Sequence, residues 1–496
     1  MRNTAKRPWP ALVADMRIAA IDLGAESGRV VVGTLEGGRC TLTVAHRFAN
    51  RPRQTADGLR WDLDDLKAGI IAGLRAAAAQ GPLAAIGVDT WGVDYGLVDS
   101  AGQLLEAPWH YRDPRTEGIS DEIALRCGAD ALFARTGTAA LPFNTIYQLV
   151  AHQRRDPALL ARAHRLLTIP DLLHHWLSGT MANEWSNAGT TGLTTAGKMA
   201  WDRELIAEIG LPAHLFGSMV ASGSRLGELR PELMAACGMV GSAPAIIAPA
   251  CHDTASAVAA VPGDAGRAAW ISCGTWSLMG LVTDQPVATS AARAAKLSNE
   301  VAYDGRTRLL TNIMGLWVLQ ECRRTWAASG GPDDYAAITA LAEAAAPGAV
   351  VEVDDPRFFA PGASGDTMPE RVVAWCREHG QPVPDSPGAI ARAILTGLAQ
   401  AYRKTLDRLR TVTGAAPEVV HLIGGGSRNR LLCRLTAEAC GLTVLAGPDE
   451  ATALGNVLVQ ARGLGVIVND EQVRAVAIAS AQVERFAPSG QRAASA

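Results

Sequence analysis

The feature that most constrains the fold of this chain is a weak internal repeat. The segments "IDLGAESGRVVV" from Ile21 and "ISCGTWSLMGLV" from Ile271, 250 positions apart, each have the pattern of a strand, a glycine turn and a second strand. At that offset Gly24 aligns with Gly274. Helix-like runs alternate with further apolar strands along the chain, which is typical of an α/β sheet. The repeat therefore predicts two related α/β lobes.

The division of the chain follows from its length and from one hinge-like stretch. A chain of 496 residues with 48% hydrophobic content is long enough for two cores. The prolines and glycines of "AVPGDAGRAA" place a boundary near residues 261–266. We expect an N-terminal lobe over 17–262 and a C-terminal lobe over 263–466. Residues 1–16 are expected to form a disordered extension and residues 467–496 a terminal segment ending in a small-polar tail.

Periodicity predicts the secondary structure around the repeat. The predicted strands are 17–22, 30–35, 85–88, 95–98 and 308–312, and the predicted helices are 63–79, 316–328, 389–412 and 450–464. Between the last two helices, "EVVHLIGGGSRNRLLCRL" is expected to form a strand, a triple-glycine turn and a helix.

Composition excludes several classes of partner. The formal net charge is −3 and basic residues are scattered, so no basic surface for nucleic acid or an anionic membrane is predicted. The nine cysteines lie far apart without a Cys-x-x-Cys pair, which favours reduced, buried thiols over zinc. No signal peptide or membrane helix is apparent. We expect a cytoplasmic protein that acts on a small molecule; the sequence specifies no oligomeric state.

Two glycine-rich segments have the composition of phosphate-binding loops. The turn Gly24–Gly28 directs backbone N–H groups at one point, which suits phosphate oxygens, and its recurrence at Gly274–Ser277 predicts a clamp built from two hairpins. Gly424–Gly426 follow a predicted strand and precede a helix, so a nucleotide is expected to approach the backbone there and to meet the helix N-terminus. The alternative for Gly24–Gly28 is an ordinary hairpin with a surface tip. The alternative for Gly424–Gly426 is a plain strand–helix turn, since neither P-loop nor Rossmann spacing is present there.

The stretch "APACHDTASAV" ends an apolar run with a histidine and an aspartate. A carboxylate at the end of a strand lies at the rim of an α/β sheet, where ligands bind, and the small residues after Asp253 leave room for one. Asp253 is therefore a candidate to accept a proton from a hydroxyl. The alternative is that His252 or Asp253 caps the next helix, a role compatible with catalysis.

A further stretch, "DTWGVDYGLVD" at 89–99, places carboxylates and two aromatic residues, Trp91 and Tyr95, around Gly92. This composition suits a sugar, whose hydroxyls need acceptors and whose C–H face packs on an aromatic ring. Core packing of the aromatic residues is the equally acceptable alternative.

Taken together, nine segments in the same order resemble the FGGY family of carbohydrate kinases, from about Ile18 to Gly465. They are "DLGAESGR", "DTWGVDYGLVD", "HYRDPRT", "NTIYQL", "CHDTASAV", "SCGTWSLMG", "NIMGLWVLQECRR", "IGGGSRNRLL" and "EATALGN".

The resemblance implies an architecture and a reaction. It implies two actin-like, ribonuclease-H-like lobes with sugar and ATP in the cleft between them. The implied activity is ATP- and Mg²⁺-dependent phosphorylation of a ketose at its C1 hydroxyl, with L-rhamnulose expected and L-fuculose or a pentulose as alternatives. Two other classes share this architecture: an actin-like ATPase that acts on a protein partner, and a sugar-sensing module without catalysis.

The resemblance also assigns roles to individual residues. It implies that Asp253 is the catalytic base and that Asp22 is associated with the metal. The implied sugar contacts are Gly92, His252, Asp253, Thr254 and Asn312. The implied ATP contacts are Ala25, Glu26, Ser27, Gly28, Arg29, Thr275, Gln320 and, among the three glycines, Gly425. One departure is that many relatives carry threonine where this chain has Ala25, and the acidic Glu26 beside phosphate is unfavourable unless it turns away or faces Mg²⁺.

Overall fold

The computed structural model describes residues 16–263, 266–363 and 365–490. Of the expected disordered extension, residues 1–15 lie outside the described residues, and Met16 already belongs to the first strand. The chain folds as two compact units. The first unit contains the described residues up to Gly263, Thr283–Arg308 and Thr452–Ser480. The second contains residues 266–282, Leu309–Ala451 and the described residues from Ala481 onward. The division at 262/263 stays a prediction.

The strands are numbered in chain order. They are β1 (Met16–Leu23), β2 (Ser27–Glu36), β3 (Arg39–Ala49), β4 (Pro52–Thr55), β5 (Gly58–Trp61), β6 (Ala85–Thr90), β7 (Tyr95–Val98), β8 (Arg165–Thr168), β9 (Asn183–Glu184), β10 (Met219–Val220), β11 (Arg225–Glu228), β12 (Ala245–Ile247), β13 (Ala268–Cys273), β14 (Trp276–Thr283), β15 (Ser298–Val301), β16 (Thr307–Met314), β17 (Val419–Ile423), β18 (Thr443–Ala446) and β19 (Glu484–Phe486).

The helices follow the same order. They are α1 (Leu63–Ala78), α2 (Ile119–Cys127), α3 (Ala129–Thr136), α4 (Thr145–Arg155), α5 (Pro157–Arg162), α6 (Ile169–Ser178), α7 (Trp185–Ala188), α8 (Arg203–Glu208), α9 (Pro231–Ala236), α10 (Asp253–Ala259), α11 (Ser290–Ala294), α12 (Trp317–Ala328), α13 (Tyr335–Ala344), α14 (Met368–Glu378), α15 (Pro387–Thr413), α16 (Arg430–Cys440), α17 (Ala451–Gly463) and α18 (Asp470–Ser480). Short 3₁₀ helices cover Pro114–Thr116, Gly189–Thr191, Ala213–Leu215, Pro356–Phe358 and Gly425–Arg428.

The first unit is built on a mixed sheet with the strand order β11-β12-β6-β1-β2-β3. Strands β1 and β12 both pair with β6 in parallel, and β1 and β2 form an antiparallel hairpin. The last six residues of β1 are all buried, as expected for a strand covered on both faces. Asp62 caps α1, whose buried residues Leu66, Ile70 and Leu74 repeat at helical spacing. Because β12, β6 and β1 run in parallel, their carboxyl ends meet at one edge of the sheet.

The second unit repeats this arrangement. Six strands of its sheet follow one another in the order β16-β14-β13-β17-β18-β19, with β13 parallel to β17 and antiparallel to β14. The long helix α15 begins after the cap Ser386 and ends at Gly414, which adopts the left-handed conformation that favours glycine. The repeat found at Ile21 and Ile271 is thus confirmed as two equivalent hairpins, β1–β2 and β13–β14.

The predicted elements are confirmed to within a few residues, with one correction. The triple glycine does not open a helix: a 3₁₀ turn covers Gly425–Arg428, and α16 begins only at Arg430, after Asn429 caps it through the Leu432 N–H. The terminal segment, for which no element was predicted, contains α18 and β19. In its described part, Ser489 bonds the carboxylate of Glu438, with its N–H 2.9 Å from Oε1. Among the described residues, no helix combines the length and apolar character needed to cross a membrane.

Candidate active site

The carboxyl edge of the first sheet gathers several of the predicted site residues. In the parallel pairing of β1 and β6, Asp22 lies opposite Asp89. One residue further on, Thr90 forms a parallel bridge with His252, and its N–H donates to the carbonyl of Cys251 at 2.9 Å. The ends of β1, β6 and the segment after β12 therefore bring Asp22, Asp89 and His252 together, where ligands of α/β sheets bind.

Asp253 begins α10 at this edge. Its Oδ1 accepts the N–H of Thr254 at 2.6 Å and the Thr254 hydroxyl at 3.2 Å. The side chain of His252, the N-cap residue, makes no capping bond. Among the described residues, no hydrogen-bond partner lies on Oδ2 of Asp253, whose side chain is 32% exposed. One carboxylate oxygen thus has a local structural role, and the other is left to act as an acceptor.

His252 is fixed by a buried ionic network. Its Nδ1 lies 3.0 Å from Oε2 of Glu300, and its Nε2 lies 3.4 Å from Oδ1 of Asp253. Arg308, which is fully buried, pairs with the same oxygen of Glu300 at 2.8 Å. Burial alone would raise the pKa of Glu300, but the charges of His252 and Arg308 outweigh it and hold that pKa below its ordinary value. Sequence reasoning missed Glu300 and Arg308.

Asp89 lies deeper, in a second buried network. Its Oδ2 accepts the Asn456 amide at 2.6 Å, and Gln460 donates in turn to Oδ1 of Asn456 and to the carbonyl of Ala19 at 3.0 Å. Its Oδ1 is buried without a hydrogen-bond partner in the described part of the chain. Burial, followed by the nearby charges of Asp22 and Asp253, raises the pKa of Asp89. The three carboxylates are therefore close enough to interact.

These carboxylates fit a divalent cation. Asp22 is nearly buried, and its Oδ2 accepts two bonds from Arg29, at 2.9 Å from Nε and 2.6 Å from Nη2. A cluster of carboxylate oxygens that includes the orphaned oxygen of Asp89 is the donor set that Mg²⁺ prefers. The sequence analysis assigned Asp22 to the metal and Arg29 to the phosphates of ATP. In the structure these two side chains are hydrogen-bonded to each other.

The tip of the β1–β2 hairpin carries the predicted phosphate loop. The turn closes through the N–H of Gly24, which donates to the carbonyl of Ser27 at 2.9 Å. Asn50 holds it from outside, since its side-chain amide donates to the Gly24 carbonyl at 2.9 Å and its N–H to the Glu26 carbonyl at 3.0 Å. Gly28 is required by packing, because a Cβ there would lie 2.5 Å from the Phe48 ring.

The aromatic residues of the 89–99 segment belong to the core. Trp91 packs on Trp61 with ring centroids 4.0 Å apart, and Tyr95 bonds Nδ1 of His152 at 3.1 Å. Asp94 accepts both indole N–H groups, at 2.6 Å from Trp61 and 3.0 Å from Trp91. Core packing thus explains Trp91 and Tyr95, and Gly92 is a partly exposed position of the segment.

In the second unit, two of the predicted ATP contacts, Thr275 and Gln320, lie on elements that contact each other. The β13–β14 turn, with Thr275 at its tip, accepts two N–H groups from the start of α12: Leu316 bonds Gly274 at 2.9 Å and Trp317 bonds Thr275 at 3.1 Å. On α12, Oε1 of Gln320 is buried with no hydrogen-bond partner among the described residues. The predicted sugar contact Asn312 lies in β16, partly exposed.

The fold requires glycine at two of the three positions 424–426. Gly424 has a φ of +80°, and a Cβ on Gly426 would lie 2.2 Å from Sγ of Cys273, so both are required by the fold. A Cβ on Gly425 would meet no described atom within 4 Å. Packing therefore leaves the space beside Gly425 open, at the position predicted to contact ATP.

Comparison with known proteins identifies the family. The N-terminal domain of the FGGY family of carbohydrate kinases matches residues 17–260, and the C-terminal domain matches residues 269–464. The chain belongs to the FGGY family of carbohydrate kinases. Among the curated relatives of this FGGY kinase, the rhamnulokinase of Bacteroides thetaiotaomicron is 38% identical over 471 residues, or 95% of each chain. That of an Enterobacter species is 39% identical over 473 residues, covering 95% of this chain and 94% of the relative.

Solved structures show the same fold at low identity. The xylulose kinase of Lactobacillus acidophilus superposes with a TM-score of 0.77 at 16% identity, covering 97% of this FGGY kinase and 95% of that chain. The ADP-bound glycerol kinase of Plasmodium falciparum superposes with a TM-score of 0.75 at 15% identity, covering 96% and 95%. The predicted α/β sugar-kinase fold is confirmed.

Proposed function

We propose that this FGGY kinase transfers the γ-phosphoryl group of ATP to the C1 hydroxyl of L-rhamnulose, giving L-rhamnulose 1-phosphate and ADP. The observation that carries the proposal is the similarity to rhamnulokinases at 37–39% identity over more than nine-tenths of the chain. The carboxylate edge of the first unit supports it with chemistry suited to deprotonating a sugar hydroxyl.

Asp253 acts as the general base in this proposal. Its Oδ2 accepts the C1 hydroxyl proton as that oxygen attacks the γ-phosphorus, and the bond from phosphorus to the β,γ-bridging oxygen breaks to release ADP. Thr254 holds the other oxygen, Oδ1, so the carboxylate cannot rotate freely. His252, anchored by Glu300, faces the same carboxylate at 3.4 Å. These contacts support a base of fixed orientation.

Magnesium has a natural place among the same carboxylates. Asp22 would hold it, with Asp89 adjacent in the pairing of β1 and β6. When bound, Mg²⁺ neutralises charge that develops on the transferred phosphoryl group. Arg29, bonded to Asp22, adds a positive charge at the start of β2.

Substrate contacts are proposed on both units. The sugar is bound by Gly92, His252, Asp253 and Thr254 of the first unit and by Asn312 of the second. The phosphates of ATP are bound by the hairpin tip, residues 25–29, where backbone N–H groups form an anion-binding turn. On the second unit Thr275, Gln320 and Gly425 contact ATP, which is supported by the buried, unsatisfied Gln320 oxygen and the open space beside Gly425.

The test is a coupled assay for ADP with and without L-rhamnulose, followed by ³¹P NMR of the product. We expect ADP release to require the ketose and the product to be a phosphomonoester at C1. ADP release independent of any sugar would favour an actin-like ATPase instead. Strict dependence on L-fuculose or a pentulose would keep the kinase and replace the substrate.

A further inference from the structure

We propose that the segment Glu184–Thr190 is a positioning platform for the sugar, and that its residues Asn187 and Thr190 are positioning residues of the phosphoryl transfer. The inference deepens the function proposed above and rests on it. The side chains of this platform bond the two backbone loops that carry the candidate sugar contacts of the first unit.

The polar side chains of the platform are buried. It runs from the end of β9 through α7 into the 3₁₀ turn Gly189–Thr191. Glu184, Ser186 and Asn187 are fully buried, and Thr190 is 5% exposed. Burying such groups is unfavourable unless each is hydrogen-bonded. Their hydrogen bonds divide between neighbouring groups and the backbone of the two site loops. Among the described residues, Oδ1 of Asn187 is buried without a hydrogen-bond partner. The bonds to the loops give part of this burial a structural reason.

The first loop held by the platform is the one that leads to the base. Oε2 of Glu184 accepts the N–H of Cys251 at 3.1 Å, and Oγ of Ser186 accepts the N–H of His252 at 3.2 Å. The side-chain amide of Asn187 donates to the Cys251 carbonyl at 3.4 Å. Three side chains thus fix the two residues immediately before Asp253.

The second loop is the one that carries Gly92. The same Asn187 amide donates to the carbonyl of Trp91 at 3.2 Å, so one side chain links both loops. Oγ1 of Thr190 accepts the N–H of Val93 at 3.0 Å. A Cβ on Gly92 would lie 2.9 Å from the Thr190 side chain, which shows how closely the loop rests on the platform.

Val93 shows that this loop is held under strain. Its φ is +68°, a conformation that is highly unfavourable for a β-branched residue. The N–H of Asp94 donates to the Gly92 carbonyl at 2.9 Å and closes a three-residue turn around Val93. On the other side, the Thr145 hydroxyl donates to the Val93 carbonyl at 2.6 Å. Strained turns of this kind persist only where their surroundings hold them, and they concentrate at functional sites.

The arrangement predicts a specific kinetic signature. If Thr190 holds the turn that presents Gly92 to the sugar, loss of its hydroxyl should weaken sugar use and leave the KM for ATP unchanged. A merely structural threonine would lower thermal stability without separating the two substrates.

The experiment compares three single variants of the full-length enzyme. Thr190→Val removes the hydroxyl without changing the shape of the side chain, and Thr190→Ser keeps the hydroxyl. Thr191→Val is the matched control, because Oγ1 of Thr191 donates to the Ala188 carbonyl at 2.6 Å within its own turn and accepts the Leu193 N–H at 3.2 Å. For each variant, kcat, both KM values and the unfolding temperature are measured. The sugar is whichever ketose the wild type uses with the highest kcat/KM.

We expect Thr190→Val to lower kcat/KM for the sugar about tenfold or more, as for a lost buried hydrogen bond, with the KM for ATP within twofold of wild type. Thr190→Ser should restore most of that loss, and Thr191→Val should change stability only. Equal sugar kinetics for Thr190→Val and Thr191→Val would overturn the inference and leave the kinase assignment intact. Absence of phosphorylation of any ketose by the wild type would overturn both.

A second background keeps the test decisive if Thr190→Val is poorly folded. Val93→Gly removes the Cβ that makes the turn unfavourable, so the turn depends less on Thr190. We expect the Thr190→Val penalty on kcat/KM to be at least threefold smaller in the Val93→Gly background than alone, or the double variant to recover folding. An equal penalty in both backgrounds would contradict the role of strain in the platform.

Discussion

The two equivalent hairpins, β1–β2 and β13–β14, differ in charge at the same position. In the first, Asp22 near the end of β1 pairs in register with Arg29. In the second, Ser272 takes the position of Asp22 and pairs in register with Leu278. One hairpin thus carries a partly buried ion pair, and the other has no charged residue. The two units share this hairpin backbone, but only the first places an aspartate at that position.

The two edges are also held together differently. In the first unit, side chains from distant segments fix the loops: Asn50 bonds the hairpin tip, Asn456 bonds Asp89, and the Glu184–Thr190 platform bonds both site loops. In the second unit, backbone bonds from the start of α12 and close glycine packing hold the β13–β14 turn, since a Cβ on Gly315 would lie 2.6 Å from the backbone of Trp276. Side-chain fixation suits a base that must point in one direction. Glycine packing suits a surface that a nucleotide approaches closely.

The largest expected effect tests the carboxylate edge itself. Asp253→Asn keeps the shape and the local bonds of the side chain but cannot accept a proton, so kcat should fall roughly 10²–10⁴-fold with little change in unfolding temperature. Asp99→Asn is the control, because Oδ1 of Asp99 only accepts N–H groups of its own exposed turn, at 2.9 Å from Ala101 and from Gln103. A kcat near that of wild type for Asp253→Asn would reduce Asp253 to a structural residue.

The next effect concerns the buried ion network of the first unit. Glu300→Gln leaves Arg308 buried without its counter-charge, so the free energy of unfolding should fall by about 3 kcal/mol at neutral pH. The control in the second unit is Glu352→Gln, which breaks an exposed pair with Lys404 at 3.1 Å and should cost under about 1 kcal/mol. Denaturant titrations of the three proteins give these values.

The pH dependence of this difference has a defined sign. The pKa of Glu300 in the folded protein lies below its ordinary value of 4.5, so the stability it contributes is fully present above that pH. That stability is lost as pH falls through the lowered pKa. The gap between wild type and Glu300→Gln should therefore be constant near neutral pH and should narrow below about pH 4.5. A gap that widens on acidification would contradict the charged state of Glu300.

The comparison between the hairpins can be tested directly at their equivalent positions. Asp22→Asn should raise the Mg²⁺ concentration for half-maximal activity by about 10- to 100-fold and lower kcat, because an amide is a poorer ligand for a hard cation. Ser272→Ala, the matched change in β13, should leave the magnesium titration unchanged. Identical titrations for wild type and Asp22→Asn would remove Asp22 from the metal site.

The smallest expected effect separates two neighbouring glycines. Gly425→Ala adds a methyl group to open space, so the protein should remain as stable as wild type while the KM for ATP rises several-fold. Gly426→Ala drives a Cβ into Cys273 and should instead lower the unfolding temperature. A Gly425→Ala enzyme with an unchanged KM for ATP would show that the loop does not contact the nucleotide.

The sequence predicted the features that depend on local pattern. The hairpins, the strand ends and Asp253 were accessible because an apolar run that stops at a polar residue is visible in a short window. The same window could not separate a helix start from a 3₁₀ turn at Gly425–Arg428. A short window also could not identify side chains that form hydrogen bonds with distant segments of the chain. Asn50 bonds Gly24 across 26 positions, Asn456 bonds Asp89 across 367, and the Glu184–Thr190 platform bonds loops at least 64 positions away. Such pairing leaves no local periodicity.

The roles of the candidate site residues stay predictions. The central claim is that the substrate is L-rhamnulose, and substrate selectivity tests that claim most directly. A pocket built for the hydroxyls of L-rhamnulose should reject ketoses with inverted hydroxyls strongly, whereas loss of one apolar methyl group costs only about 1–3 kcal/mol. The measurement is steady-state kcat/KM for L-rhamnulose, L-xylulose, D-xylulose, L-ribulose and glycerol at saturating ATP. The account predicts that L-rhamnulose ranks first, with weaker activity on L-xylulose and poor activity on the other three. A higher kcat/KM for D-xylulose or glycerol than for L-rhamnulose would contradict it.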